Sequence, residues 1–135
     1  MYKCEYFNIH ELVPKYIYQM RGEKAWSLLD DRALITLDKL RGMFGPMIVN
    51  DYRWGGERQW SGLRTSESPH YSPYSQHSFG RAFDVIFNEV SVEHVRRFVL
   101  DSPTLFPYIN AIELDVSWFH FDTRNCERIF TFKPK

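Results

Sequence analysis

A chain of 135 residues with 44% hydrophobic and 17% aromatic side chains has enough apolar material for one core and too little length for several domains. Its 17 basic residues are matched by 17 acidic ones, so no excess of positive charge favours nucleic acid or an anionic membrane as the main partner. The opening residues 1–11 are charged where a secretory signal is apolar, and no later run is long enough to span a bilayer, so a soluble product made in the cytoplasm is expected. Cys4 and Cys126 are too few for a disulfide scaffold and lie in no Cys-x-x-Cys pair, so a reduced pair is expected.

In chain order, the first element is a helix from about residue 26 to 44. Leu29, Ala33, Leu37, Leu40 and Phe44 recur at helical spacing there, and Gly45-Pro46 stops it. Residues from about 8 to 45 form an N-terminal helical part. Residues 47–49 read as a short strand, followed by a stretch at 50–76 rich in Gly, Ser, Pro and Tyr that is too long for a passive connection and is expected to border a site. Residues 82–87 read as a buried strand with Ala82, Asp84 and Ile86 on one face. Ser91 caps a helix reaching about Leu100, with Val92, Val95, Phe98 and Val99 inward, and Asp101-Ser102-Pro103 ends it. Residues 109–114 and 118–122 read as two strands joined by a tight turn at Asp115 and Val116. The expectation is one α+β domain over 1–135, a central antiparallel sheet flanked by helices.

Chemistry concentrates at His77, Asp84 and His120. Two imidazoles and a carboxylate, with a fourth position left to solvent, form the ligand set of a catalytic zinc, whereas structural zinc is usually closed by four protein ligands including cysteines. Asp84, between Phe83 and Val85-Ile86, is costly to bury without a cation or several donors. Gly80 lets the chain turn between His77 and Asp84, which a continuous strand would place on opposite faces.

The run Ser75-Gln76-His77-Ser78-Phe79-Gly80-Arg81-Ala82-Phe83-Asp84, answered by Trp118-Phe119-His120-Phe121-Asp122, resembles the M15 metallopeptidases of the LAS group. Their signature reads Ser-x-His-x-x-Gly-x-Ala-x-Asp with a later x-His strand motif, and every fixed position of the first motif is present. Upstream, Ser61-Gly62-Leu63-Arg64 resembles the family's Ser-Gly-Tyr-Arg, with Leu63 in the aromatic slot. The likeness covers roughly residues 46–124. It implies a small α+β domain, Zn2+ held by His77, Asp84 and His120, and hydrolysis of peptide bonds in peptidoglycan stem peptides as a carboxypeptidase or endopeptidase. It also implies that Arg64 contacts substrate near the metal, and it is similar to phage or prophage endolysin-like enzymes that reach the cell wall after release or within a virion, with lysis-system or virion components as partners.

Such hydrolysis needs a carboxylate base, and Glu113 and Asp115 are the candidates. A hairpin with an even-numbered loop places Glu113 opposite Trp118 and diagonal to His120 on one face; an odd loop turns it away. In the better-known M15 patterns the last ligand is preceded by His two positions earlier or by an acidic residue three earlier; here those positions are Trp118 and Ser117. Arg64 suits a substrate carboxylate or developing oxyanion, or else pairs with Glu67. Ser75 orients a ligand, binds substrate or forms a turn. Asp122 either accepts the second N–H of His120 or pairs with Arg124. The competing reading of the whole is a non-catalytic, metal-stabilised binding or virion structural protein on the same fold.

Overall fold

The computed structural model describes all 135 residues. It is an α+β domain, and its N-terminal third is helical. The 3-10 turn Ile9–Glu11 leads through Pro14 into α1 (Lys15–Arg21), a 3-10 stretch (Gly22–Leu28) and α2 (Asp31–Phe44). The helix expected from about residue 26 begins only at Asp31. Leu29 is extended (φ −114°, ψ 143°), and the Asp30 carboxylate caps the new helix by accepting from the Ala33 N–H at 3.1 Å. Ala33, Leu34, Leu37 and Leu40 are fully buried, and α2 packs against the sheet at β2.

Five strands form the sheet: β1 (Met47–Ile48), β2 (Ala82–Phe87), β3 (Ala111–Glu113), β4 (Phe119–Asp122) and β5 (Phe130–Phe132), in the spatial order β1-β2-β4-β3-β5. The pairs β1/β2, β2/β4 and β3/β4 are antiparallel, but β5 joins β3 in parallel, so the sheet is mixed rather than purely antiparallel. Strand β5 was not foreseen. Three residues of Phe-Thr-Phe give too short an alternation to stand out, and their pairing with β3 is long-range. After β2, α3 (Val92–Asp101) starts where Ser91 Oγ accepts from the His94 N–H at 3.0 Å.

Alternation along the strands divides the sheet into two faces. Phe83, Val85, Phe119, Phe121 and Ile112 point to the core with no exposed surface, each such side chain contributing about 1.5–3 kcal/mol through burial. The alternate residues Ala82, Asp84, His120 and Asp122 share the opposite face, and they too are buried, so that face is covered. Its cover is the long loop expected to border a site.

That loop is held down by specific bonds. Asn50, 1% exposed, donates through Nδ2 to the Val13 carbonyl (3.2 Å) and accepts at Oδ1 from the Ser61 N–H (3.1 Å). The Leu63 N–H donates to the Leu12 carbonyl (3.0 Å), and the Asp84 N–H to the Ser61 carbonyl (2.7 Å). Gly62 is required here, because a Cβ would stand 2.2 Å from the Leu12 carbonyl oxygen. No helix of the structure is long and apolar enough to cross a membrane.

Candidate metal centre

Strand register brings the polar residues into rows. Asp84 lies directly across from His120, and Ala82 across from Asp122. On the other side of β4, Ala111 pairs with Asp122 and Ile112 with Phe121. Continuing that register puts Glu113 across from His120, two residues from the Trp118 pairing expected from the sequence and still on the His120 face. The β3–β4 turn is fixed from α3: Arg96, 5% exposed, donates through Nη2 to the carbonyls of Val116 and Trp118, both at 3.0 Å. Ala82 and Ala111 on either side of Asp122 leave room for a carboxylate that has no exposed surface.

His77 reaches the same point from the covering loop. It lies on a 3-10 turn (Gln76–Phe79) whose first N–H groups are capped by Ser75, whose Oγ accepts from the His77 N–H at 3.2 Å. Gly80 closes the turn at φ 70°, where a Cβ would meet the Leu28 carbonyl oxygen at 2.0 Å. The His77 ring donates from Nδ1 to the Gly62 carbonyl at 2.8 Å, which leaves Nε2 aimed at Asp84 Oδ1, 3.3 Å away. A carbonyl can only accept, so this bond fixes the tautomer with a free Nε2 lone pair.

His120 lies between two carboxylates. Nδ1 is 2.8 Å from Asp84 Oδ1 and Nε2 is 2.7 Å from Asp122 Oδ2. Burial disfavours its charged form, but the Asp122 and Asp84 hydrogen bonds outweigh that and raise its pKa to about 9. Burial would raise Asp84, yet the two histidines hold its carboxyl far below the usual carboxylate range. Asp122 is likewise held down, against its burial, by Arg124 and His120. Burial lowers His77, partly offset by Asp84.

Three donor atoms therefore converge: the ligating nitrogens and oxygen of buried His77, Asp84 and His120 all lie within 4.8 Å of one another, and this group can hold a metal ion. Ligands at about 2.0–2.1 Å from a tetrahedral ion stand roughly 3.3 Å apart, which the His77–Asp84 separation of 3.3 Å matches. Each imidazole also keeps its second nitrogen on an oxygen acceptor, His77 on Gly62 and His120 on Asp122, the usual support for a metal-binding histidine. The residues fit the group, with the His120–Asp84 separation of 2.8 Å opening by about half an ångström around an ion.

The centre opens into a groove of about 900 Å³ whose walls include Arg58, Arg64, Glu113, Trp118 and Arg124. Arg64 donates from Nη2 to Asp84 Oδ2 (3.0 Å) and from Nε to the Trp60 carbonyl (2.7 Å), so its pairing is with Asp84 rather than Glu67. Ser75 both caps the His77 turn and lines the groove. Asp122 does both things the sequence offered, since Arg124 also grips it through Nε (2.8 Å) and Nη2 (2.6 Å). Asp115, the other candidate base, does not join the site. It occupies the exposed turn at φ 60°, lies 3.5 Å from Lys133 and is absent from the groove walls, whereas Glu113 lines the groove on the His120 face and Glu57 lines it from the exposed covering loop.

Two parts of the site carry no local signal in the sequence. Phe132 of β5 packs edge-on to His120 (ring centroids 5.4 Å apart), and the Arg124 guanidinium stacks over Phe132 at 4.9 Å, so β5 backs the Asp122–His120 pair. Arg58, eight residues past the start of the covering loop, was a lone arginine in a loop and carried no signal. No family model matches the chain, and neither a curated protein nor a solved structure shows detectable similarity to it.

Proposed function

We propose that the protein is a zinc-dependent peptidase of M15 type acting on peptidoglycan stem peptides. The observation that carries this reading is the placement of Glu113 and Arg64 on the walls of one groove, with the His77, Asp84 and His120 donors at its floor. A divalent ion held by those donors would supply Lewis acidity for attack of water on a peptide carbonyl; the mixed nitrogen and oxygen set suits zinc among the common ions.

The chain's own residues supply the rest. Glu113, which the strand register carries to the His120 row, would take a proton from the attacking water and return it to the leaving amine. Arg64 already has Nε and one amino group fixed, and its other amino group is free to steady a carbonyl oxygen that gains negative charge. Asp122, clamped by Arg124, holds the His120 ring so that Nδ1 faces the donors. Trp118 and Tyr74 add aromatic surface to the walls. A carboxylate base in the groove is what the non-catalytic reading lacks a use for. A phage or prophage lysis enzyme, or a virion component, is the biological setting we favour.

The test is zinc content and release of peptides from purified cell wall. Wild-type protein should carry stoichiometric zinc and cleave stem peptides, with turnover abolished by chelation and restored by zinc. Tightly bound zinc with no cleavage of any wall preparation would favour the metal-stabilised binding protein.

A further inference from the structure

Three arginines line the groove, and they differ in how their charge is spent. Arg64 is paired with Asp84 and Arg124 with Asp122, both at ion-pair distance. Arg58 has no carboxylate partner. Its guanidinium is fixed instead by two neutral carbonyls, Nε on Val49 at 3.0 Å and Nη2 on Asp84 at 3.4 Å.

The backbone around Arg58 is equally fixed. Its N–H donates to Asp51 Oδ1 at 2.9 Å, its carbonyl accepts from the Asp51 N–H at 3.0 Å, and position 56 takes glycine because a Cβ there would stand 2.1 Å from the Asp51 carboxylate. The remaining amino group, Nη1, bonds to nothing in the protein and is not among the buried unpartnered atoms, so it faces the groove solvent. A rigidly held, half-buried guanidinium with no carboxylate of the protein at ion-pair distance and a free amino edge suits an incoming carboxylate. The other amino group of Arg58 rests on the backbone carbonyl of Asp84, so the guanidinium borders the strand residue that carries the donor oxygen.

We propose that Arg58 reads the free C-terminal carboxylate of the substrate, so that the groove removes a terminal residue rather than cutting within a chain. This rests on the peptidase reading above and adds a specificity-determining residue to it. The carboxylate leaves with the released amino acid, so Arg58 discriminates substrates without taking part in the bond change.

The test uses zinc-loaded Glu113→Gln protein and two probes, an acetylated pentapeptide ending in D-Ala-D-Ala and its C-terminal amide, with binding followed by calorimetry. The free acid should bind about ten- to a hundredfold more tightly than the amide, the worth of one charge-assisted contact. Arg58→Gln should erase that preference while leaving zinc content and amide binding unchanged, and Arg58→Lys should restore part of it. Equal binding of acid and amide, or a preference that survives Arg58→Gln, overturns the assignment of Arg58. Wild-type cleavage of acid and amide with equal efficiency overturns it too, yet leaves the peptidase standing. Failure to bind or cleave either probe or any wall fragment overturns both.

Discussion

Asp122→Asn isolates the support beneath the candidate metal centre, because it preserves the shape of a fully buried side chain while removing its charge. The carboxylate accepts at Oδ2 from His120 Nε2 (2.7 Å) and Arg124 Nη2 (2.6 Å), and at Oδ1 from Arg124 Nε (2.8 Å) and the Arg124 N–H (3.2 Å). An asparagine must turn its amide nitrogen toward one of these donor pairs, so two hydrogen bonds are lost in either orientation. Charge-assisted bonds are worth about 1.5–3 kcal/mol each when buried. The Arg124 side chain is 24% exposed, so solvent recovers part of that, and we expect a net loss of about 2–4 kcal/mol in folding stability. For the ion, losing the carboxylate behind His120 should weaken binding about 10–100-fold, or roughly 1.4–2.7 kcal/mol. Competition with a chromophoric zinc chelator measures the affinity, and urea unfolding of chelator-treated protein measures the stability. A folded Asp122→Asn protein with wild-type zinc affinity would refute the role given to Asp122 in aiming His120.

The remaining expectations concern linkage and packing. Saturating zinc at a hundred times its dissociation constant should stabilise the wild type by about 2.7 kcal/mol, on the order of 10 °C in Tm for a domain of this size, and His77→Ala should abolish that gain in a thermal melt. The pKa of His120 in the folded protein, about 9, lies above its ordinary 6.5, so the stability it contributes to chelator-treated protein is present below about pH 6.5 and is lost as pH rises to about 9. Nδ1 must shed its proton to bind an ion, so the zinc-induced rise in Tm should grow over that same interval; melts at pH 6.5 and 9 check both signs, and parallel slopes would contradict them. Gly62→Ala should prevent the loop from docking, since its Cβ would lie 2.2 Å from a backbone oxygen, and circular dichroism with zinc titration should show loss of binding beyond any loss of helix.

How much of this was legible in the sequence depended on the range of the interactions. The period-2 pattern of 82–87 and the His120–Asp122 alternation placed Asp84, His120 and Asp122 on one face, because side-chain direction along a strand is a local property. The turn that brings His77 in was readable from Gly80. The exact pairing of β3 with β4 was not, because Arg96, a helix residue far along the chain, pins the turn and so decides what faces His120. Helix α2 was overextended because its apolar spacing runs through Leu29, while the cap at Asp30 decides where it starts. Strand β5 and Arg58 were missed for a related reason: three residues hold no periodicity, and an arginine's role depends on which carboxylates the fold leaves for it.

The most direct measurement is hydrolysis of purified peptidoglycan by zinc-loaded wild type and Glu113→Gln, with the metal content of each determined alongside. Both proteins should carry stoichiometric zinc, and Glu113→Gln should be slower by about 10²–10⁴-fold, the usual contribution of a positioned base. Equal rates in the two proteins, or zinc-loaded wild type with no activity on any wall preparation, would contradict this mechanism.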